Sequence, residues 1–287
     1  MEKSMKYSYL SIVIAILALT LTAIQKTSPS ANPRREETAY ERIMRTRTLR
    51  CGYALWPTFE DIDPNTKQLK GIGPEFANAL AEKLNLKIEW TQEVQWGQEV
   101  EALQTGKIDA ICSDDGEWNY TSTAVRDFAE PMAYFPIYLY GRKGETRFKT
   151  LQSINSPEVT LSAMEGDISM SIAVDQYPKA HRLEVSGSGD PSLVVLNVLS
   201  GKADLLIEDS LTVDRVNGPS GEKLERLYDK PYAVMNASFS VAKGQGDLLN
   251  MLNQGFKLLY DLGISDQILD KYDPSRKIFY RPAKRWG

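Results

Sequence analysis

The sequence predicts an α/β protein of two lobes, each a parallel-type sheet with helices, joined by two extended strands. Three observations lead there. Strand-like and helix-like stretches alternate as strand, helix, strand, helix, strand between about residues 48 and 113, and the same alternation returns between about 159 and 209. Two extended apolar runs, "PIYLYGRKG" and "NASFSVAKG", flank the second set as crossing strands between lobes would. The composition, 42% hydrophobic and 25% charged over 287 residues, is that of a globular chain long enough for two modest cores.

At the N-terminus Lys3 and Lys6 precede an apolar run from about Tyr9 to Ile24, the layout of a secretory signal whose positive end stays inside. The run approaches membrane-spanning length and no clean small-residue cleavage step follows it, so residues 1–31 read as a signal peptide or, uncleaved, as an anchor. Either way the folded part is exported, with a periplasmic location. No cysteine follows the run to carry a lipid. Residues 32–44 read as a linker, in a polar stretch that holds Pro29 and Pro33. The formal charge of −4 becomes −6 without residues 1–31, which carry a net +2, and this acidity argues against nucleic acid as a partner.

The first lobe opens with the strand-like "TLRCGYAL", then "PEFANALAEKL", where Phe76, Leu80 and Leu84 recur one helical turn apart. "LKIEWTQEV" is a second strand. "WGQEVEALQTGK" sets Trp96, Val100 and Leu103 on one helix face before Gly106 stops it, and "IDAICS" is a third strand. This reading puts Trp96 and Trp90 in the core. The second lobe runs "VTLSAME", "DISMSIAVDQY", "RLEVS", "PSLVVLNVLSGK" and "ADLLIED". Two helical stretches follow, "DLLNMLNQGFKLLYDLG" and "SDQILDKYD", and then a basic-aromatic tail, "RKIFYRPAKRWG", read as a solvated end.

Cys51 and Cys112, the only cysteines, permit one disulfide in an oxidising compartment, with two buried thiols as the alternative. The single histidine, His181, leaves a metal cluster or a histidine-based nucleophile without support, and neither a metal nor a cofactor is expected.

Open parallel sheets hold ligands beyond the carboxyl ends of their strands. Those ends are polar or aromatic here. The first is followed by Trp56, Phe59, Glu60 and Asp61; the third enters "CSDDGEW", with Asp114, Asp115, Glu117 and Trp118. In the second lobe they lead to Asp167 and Ser169, and to Glu208 and Asp209. Carboxylates neutralise a cation and indole faces attract it by about 0.5–2 kcal/mol each, so the set suits a cationic or amine-containing solute. The competing reading of "DDGE" is a solvated turn, and Asp167 equally suits a helix cap.

Four stretches, "TLRCGYALWPTFEDIDPNTKQLKGIGPEFANALAEKLNLKIEW", "WGQEVEALQTGKIDAICS", "FAEPMAYFPIYLYGRKG" and "LNVLSGKADLLIEDS", resemble the extracellular solute-binding proteins of the polar amino acid type, family 3, partners of ABC importers. The likeness spans about residues 45–273. It implies a periplasmic-binding-protein-like fold of the second type, a Venus flytrap. Lobe 1 would combine 45–141 with 236–287 and lobe 2 would span 142–235. It also implies a monomer that closes on a small amine or amino-acid-like molecule, is not an enzyme, and delivers its ligand to a membrane permease.

Members carry an arginine about six residues before the phenylalanine of the "FAEP"-like step, where it clamps the ligand carboxylate. Ser122 stands at that position, and Arg126 is too near Phe128 to inherit the role. The acid that takes the ligand ammonium matches Asp209, and Asp167 stands where relatives present hydroxyls to a carboxylate. The expected ligand residues are therefore Trp56, Glu60, Asp114, Asp115, Glu117, Trp118, Asp167, Ser169 and Asp209. Two other classes fit the same scaffold: an exported enzyme resembling cyclohexadienyl dehydratase, which the missing arginine disfavours, and a sensory ectodomain held by its N-terminal segment.

Overall fold

The computed structural model describes residues 36–114, 116, 120–218 and 223–283, with only the backbone at 113, 114 and 120–122. The chain divides into Met1–Thr38 and Ala39–Gly287, and the fold described belongs to the second unit. The proposed signal segment and the first part of the linker lie outside the described residues. The rest of the expected linker is corrected: α1 (Ala39–Thr46) covers it. Its Ile43 is fully buried, and its Arg42 pairs with the buried carboxylate of Asp109, which also holds Arg50 at 2.7 Å, so this segment is pinned to the fold.

From α1 the chain runs through β1 (Thr48–Tyr53), a short hairpin of β2 (Asp61–Ile62) and β3 (Leu69–Lys70), α2 (Ile72–Leu84), β4 (Lys87–Glu93), α3 (Glu99–Gln104) and β5 (Ala110–Asp114). α4 (Tyr120–Val125) and β6 (Arg126–Phe128) lead to the first long crossing strand, β7 (Ala133–Arg142). The second lobe follows as β8 (Thr160–Met164), α5 (Ile168–Gln176), β9 (His181–Val185), α6 (Ser192–Leu199), β10 (Leu205–Asp209), α7 (Ser210–Asn217) and β11 (Leu224–Arg226). The second crossing strand, β12 (Ala233–Ala242), returns the chain to helices α8 (Gly246–Asp261) and α9 (Ile264–Tyr272).

The sheet order is β4-β1-β5-β12-β7-β10-β8-β9. β1 runs parallel to β4 and β5, and β8 runs parallel to β9 and β10, so each lobe has the three-strand parallel centre that the alternation predicts. The two expected sheets form one hydrogen-bonded path because the crossing strands pair with each other, antiparallel, from Ala233 opposite Ile137 to Ala237 opposite Ala133. Both crossing strands are buried along nearly their whole length, as strands covered on both faces must be.

The first-lobe core gathers Phe76 and Leu80 of α2 against Phe256 of α8, whose ring lies 5.0 Å from Phe239 of β12. Gly255 lets these helices touch, since a Cβ there would stand 2.8 Å from Leu80 Cδ1. The second-lobe core is built on Tyr138, Tyr140, Val194, Val195, Val198 and Leu206. Cys51 and Cys112 are joined as a disulfide with Cα atoms 5.5 Å apart, tying β1 to β5. His181 is exposed on β9.

The tail departs from its reading as a solvated end. Tyr280 exchanges two 2.8 Å backbone hydrogen bonds with Tyr134, and Phe279 is buried with its ring 5.0 Å from Phe135. Asp273 organises the turn before it by accepting the backbone N–H groups of Lys277, Ile278 and Phe279. Burial pushes the Asp273 pKa up, but these amides outweigh burial and hold it below the usual value. Apolar rings and paired Arg281, rather than loose charge, decide the fate of this segment. Residues 284–287 lie outside the described residues.

Candidate functional site

Strand ends of both lobes meet around two neighbouring spaces, and five of the six next named line one or the other. β1 leads to Trp56, β4 to Trp96, β5 to Asp114, β8 to Asp167, β9 to Gly187 and β10 to Asp209. Between the lobes lies a cavity of about 20 Å³, room for one water. Trp56 and Trp96 close it from the first lobe and Met235 of β12 from the crossing strands. The second lobe contributes three acids, Asp167, Glu208 and Asp209, with Met164, Pro191 and Thr212 between them.

The rings are held by their own neighbours. Trp56 and Glu60 exchange backbone hydrogen bonds of 2.9 and 2.6 Å across a tight turn that puts Thr58 at φ 82°. That turn lays the Trp56 ring on Phe135 (centroids 4.6 Å) and Phe59 (5.0 Å). Trp96 stands edge-on to Trp56 at 6.4 Å. Trp96 was expected on the core face of a helix, but α3 begins only at Glu99, so Trp96 sits in the loop at the carboxyl end of β4.

The acids are fixed by helix starts. Asp209 caps α7, its Oδ1 accepting the Leu211 and Thr212 amides at 2.6 and 3.1 Å and its Oδ2 the Thr212 hydroxyl at 2.9 Å. Asp167 caps α5 by accepting the Ser169 amide at 2.7 Å. Glu208 Oε2 accepts the Asp209 amide at 3.0 Å. Burial raises the pKa of Asp167 and of Asp209, and the nearby Asp167 charge raises Asp209 further, while the capping hydrogen bonds pull the other way. Two neighbouring carboxylates held this way gain from any cation placed between them.

Glu60 is fully buried, and among the described residues neither carboxylate oxygen has a hydrogen-bond partner. Burial alone drives its pKa well above the ordinary value. Ser169 does not join the cavity walls: its hydroxyl accepts the Met164 amide at 3.2 Å and its own amide serves Asp167, so it holds the α5 start rather than facing a solute. The backbone of Asp114 pairs with Ser238, its side chain is not described, and Asp115, Glu117 and Trp118 lie outside the described residues.

Among the described residues no lysine or arginine lines this cavity. Arg126 pairs with Ala242, four positions along β12 from Ser238, the partner of Asp114. At about 3.4 Å per residue that is roughly 14 Å along the strand, toward the end of the sheet away from the cavity. Its guanidinium lies 4.9 Å from the Phe128 ring centre. The Ser122 side chain is not described.

Outside Trp96 lies a second space of about 280 Å³, with Leu55, Asp61 and Glu93 on the first-lobe side and Ser188, Asp190 and Arg215 on the other. Backbone contacts join the lobes here. The Trp96 amide donates to the Gly187 carbonyl at 3.3 Å, and a Cβ on Gly166 would stand 2.3 Å from the Gly97 nitrogen. Gly166 and Gly187 have no room for a Cβ because the two backbones touch. The expected ligand set left out Trp96, Met164, Pro191, Glu208, Thr212 and Met235 of the cavity wall, and Gly166 and Gly187 beside it. A loop tryptophan directly after a parallel strand was the signal available for the first of these.

A family model described as bacterial extracellular solute-binding proteins, family 3, matches residues 49–274. The L-cystine-binding protein TcyA of Bacillus subtilis (strain 168) is 20% identical over 267 residues, covering 92% of this chain and 95% of that protein. The crystal structure of the ancestral amino acid-binding protein AncCDT-1, a precursor of cyclohexadienyl dehydratase, superposes with a TM-score of 0.69 at 25% identity, over 81% of this chain and 98% of that one. A second structure of AncCDT-1, there described as an ancestral cationic amino acid solute-binding protein, gives a TM-score of 0.61 at 25% identity over 82% and 99%. A mutant of ArgBP from T. maritima gives 0.68 at 21% identity over 82% and 99%.

Proposed function

This chain belongs to the bacterial extracellular solute-binding proteins, family 3, and we propose that it captures a small cationic, amine-bearing solute between its lobes and delivers it to an ABC permease. The observation that carries this reading is the cavity wall: three acids and two indoles, with no basic side chain among the described residues. A cation entering there replaces its water with carboxylates and ring faces, and Asp167 and Asp209 stop repelling each other. A free carboxylate would meet three acids and, among the described residues, no cation.

Lobe 1 is read as 45–141 with 236–287 and lobe 2 as 142–235, hinged where β7 and β12 leave their shared pairing, near 138–143 and 236–241. With the Trp96 loop seated on Gly187 and Gly166 the inner space takes little more than a water, so a solute enters as the lobes part. The protein acts as an exported monomer in the periplasm. The likeness to a cationic amino acid-binding ancestor supports the sign of the charge, and the L-cystine-binding relative supports an amine-bearing ligand. Dehydratase chemistry would need a clamp for substrate carboxylates, and turnover of prephenate or arogenate would replace this reading with an enzymatic one.

A thermal-shift screen tests the proposal. Organic amines raise the melting temperature in proportion to the logarithm of their excess over Kd, and dicarboxylates leave it unmoved. Stabilisation by dicarboxylates and not by amines would refute it.

A further inference from the structure

Glu60 deepens the reading of the same cleft, and the role assigned to it rests on the proposed cationic solute. A fully buried carboxyl whose two oxygens lack a partner among the described residues is rare, because buried polar groups are nearly always hydrogen-bonded. Its direction follows from the backbone. Trp56 and Glu60 are an antiparallel bridge pair, so their side chains leave the same face of the turn. Since the Trp56 indole walls the cavity, the Glu60 side chain leaves the backbone next to that wall and behind the cavity's own lining. The rings packed nearest Trp56 are those of Phe59 and Phe135, which offer no hydrogen bond, and Trp96 stands edge-on beyond them at 6.4 Å.

Acid thus stands at two places on opposite lobes: Asp167, Glu208 and Asp209 line the cavity from the second, already held by backbone amides, and Glu60 lies behind the Trp56 wall on the first, without a hydrogen-bond partner among the described residues. Between them stand two indoles and the thioethers of Met164 and Met235, an apolar lining. We infer that the solute is a dication, a short aliphatic diamine without a carboxylate, whose one ammonium is received by Asp167, Glu208 and Asp209 and whose other, once the Trp56 ring turns aside, is received by Glu60. Its methylene chain lies along Trp56 and Trp96. A lobe-bridging dication also closes the cleft, since neither lobe alone holds both ends.

The test is titration calorimetry of the protein with cadaverine, pentylamine and lysine, repeated on Glu60→Gln and Asp209→Asn. Cadaverine binds at least about tenfold tighter than pentylamine, one charge-assisted contact's worth, and tighter than lysine. Glu60→Gln brings the cadaverine affinity down to that of pentylamine, and Asp209→Asn weakens both. Equal affinities for cadaverine and pentylamine, a margin that survives Glu60→Gln, or a preference for lysine would overturn the dication while leaving a cationic solute standing. Failure of all three amines to bind would overturn both readings. Should Glu60→Gln not fold, the wild-type comparison of the three probes decides alone.

Discussion

The backbone amide of Trp96, in the first lobe, donates to the carbonyl of Gly187, in the second, at 3.3 Å. The residue whose ring walls the cavity is therefore also one that fastens the lobes together, and a solute that seats the ring favours closure. A Cβ at Gly187 would stand 2.4 Å from the Trp96 oxygen. Gly187→Ala is expected to leave the unliganded melting temperature within a few degrees of wild type and to weaken ligand binding by about tenfold or more, because closure forfeits its contact. Small-angle scattering on ligand addition then reports less compaction than in wild type. Full compaction in the variant would show that this contact is no latch.

Affinity falls as the solution is acidified. Asp167, Asp209 and Glu60 all have pKa values raised by burial, so the folded protein binds their protons more readily than the unfolded chain does. The stability tied to these groups is present below their unfolded values and is lost as pH rises through the raised ones. A cation needs the ionised forms and pulls the values down again. Binding should release protons when measured in buffers of differing ionisation enthalpy, and Kd should rise as pH drops from neutrality into the raised carboxyl range. A Kd independent of pH would contradict the assignment.

Other carboxylates act in the opposite sense. Glu145 is held to about 2 chiefly by its hydrogen bonds to Arg147, and Asp270 is held low by Arg276. Their stabilisation is present above the unfolded pKa and lost as pH falls through the folded one. Unliganded stability is expected to pass through a maximum at mildly acidic pH, readable by thermal melts across pH, rather than to fall steadily from neutrality.

Reduction of Cys51–Cys112 lowers stability. The bond spans 61 residues of sequence, and closing a loop of that size is worth roughly 4 kcal/mol in the chain-entropy model. For a protein of this size the melting temperature should fall by about 10 °C in dithiothreitol. An unchanged melt under conditions that expose two free thiols would show that β1 and β5 need no tie.

Removing the Asp273 carboxylate frees the tail. Asp273→Ala leaves the amides of Lys277, Ile278 and Phe279 without their acceptor, a loss of about 2–4 kcal/mol. Hydrogen exchange should quicken from Lys277 to Tyr280 and at Tyr134, the backbone partner of Tyr280. Protection equal to wild type would place the hold on the tail in Phe279 alone.

The alternation of periods two and three point six carried the parallel centres of both lobes, because each buried face repeats along its own element. The joining of β7 to β12 into one path was beyond that signal, since it depends on which extended runs meet in space. Asp209 and Trp56 were legible as residues at strand ends. Trp96 was not: its spacing to Val100 and Leu103 imitates a helix that starts three residues later, at Glu99. Ser169 stands off the cavity that Asp167 lines, since a helix cap uses both residues and turns only one toward the cleft. The tail was misjudged from its charge, when Phe279 and the Asp273 turn decide its place.

A crystal structure of the protein with its solute bound reads the sign of the cleft without an intermediary. An ammonium nitrogen is expected within about 3 Å of a carboxylate oxygen of Asp209 or Asp167, with the Trp56 and Trp96 rings against the adjoining carbons. A solute whose carboxylate is gripped by an arginine in the middle of the cleft would contradict it.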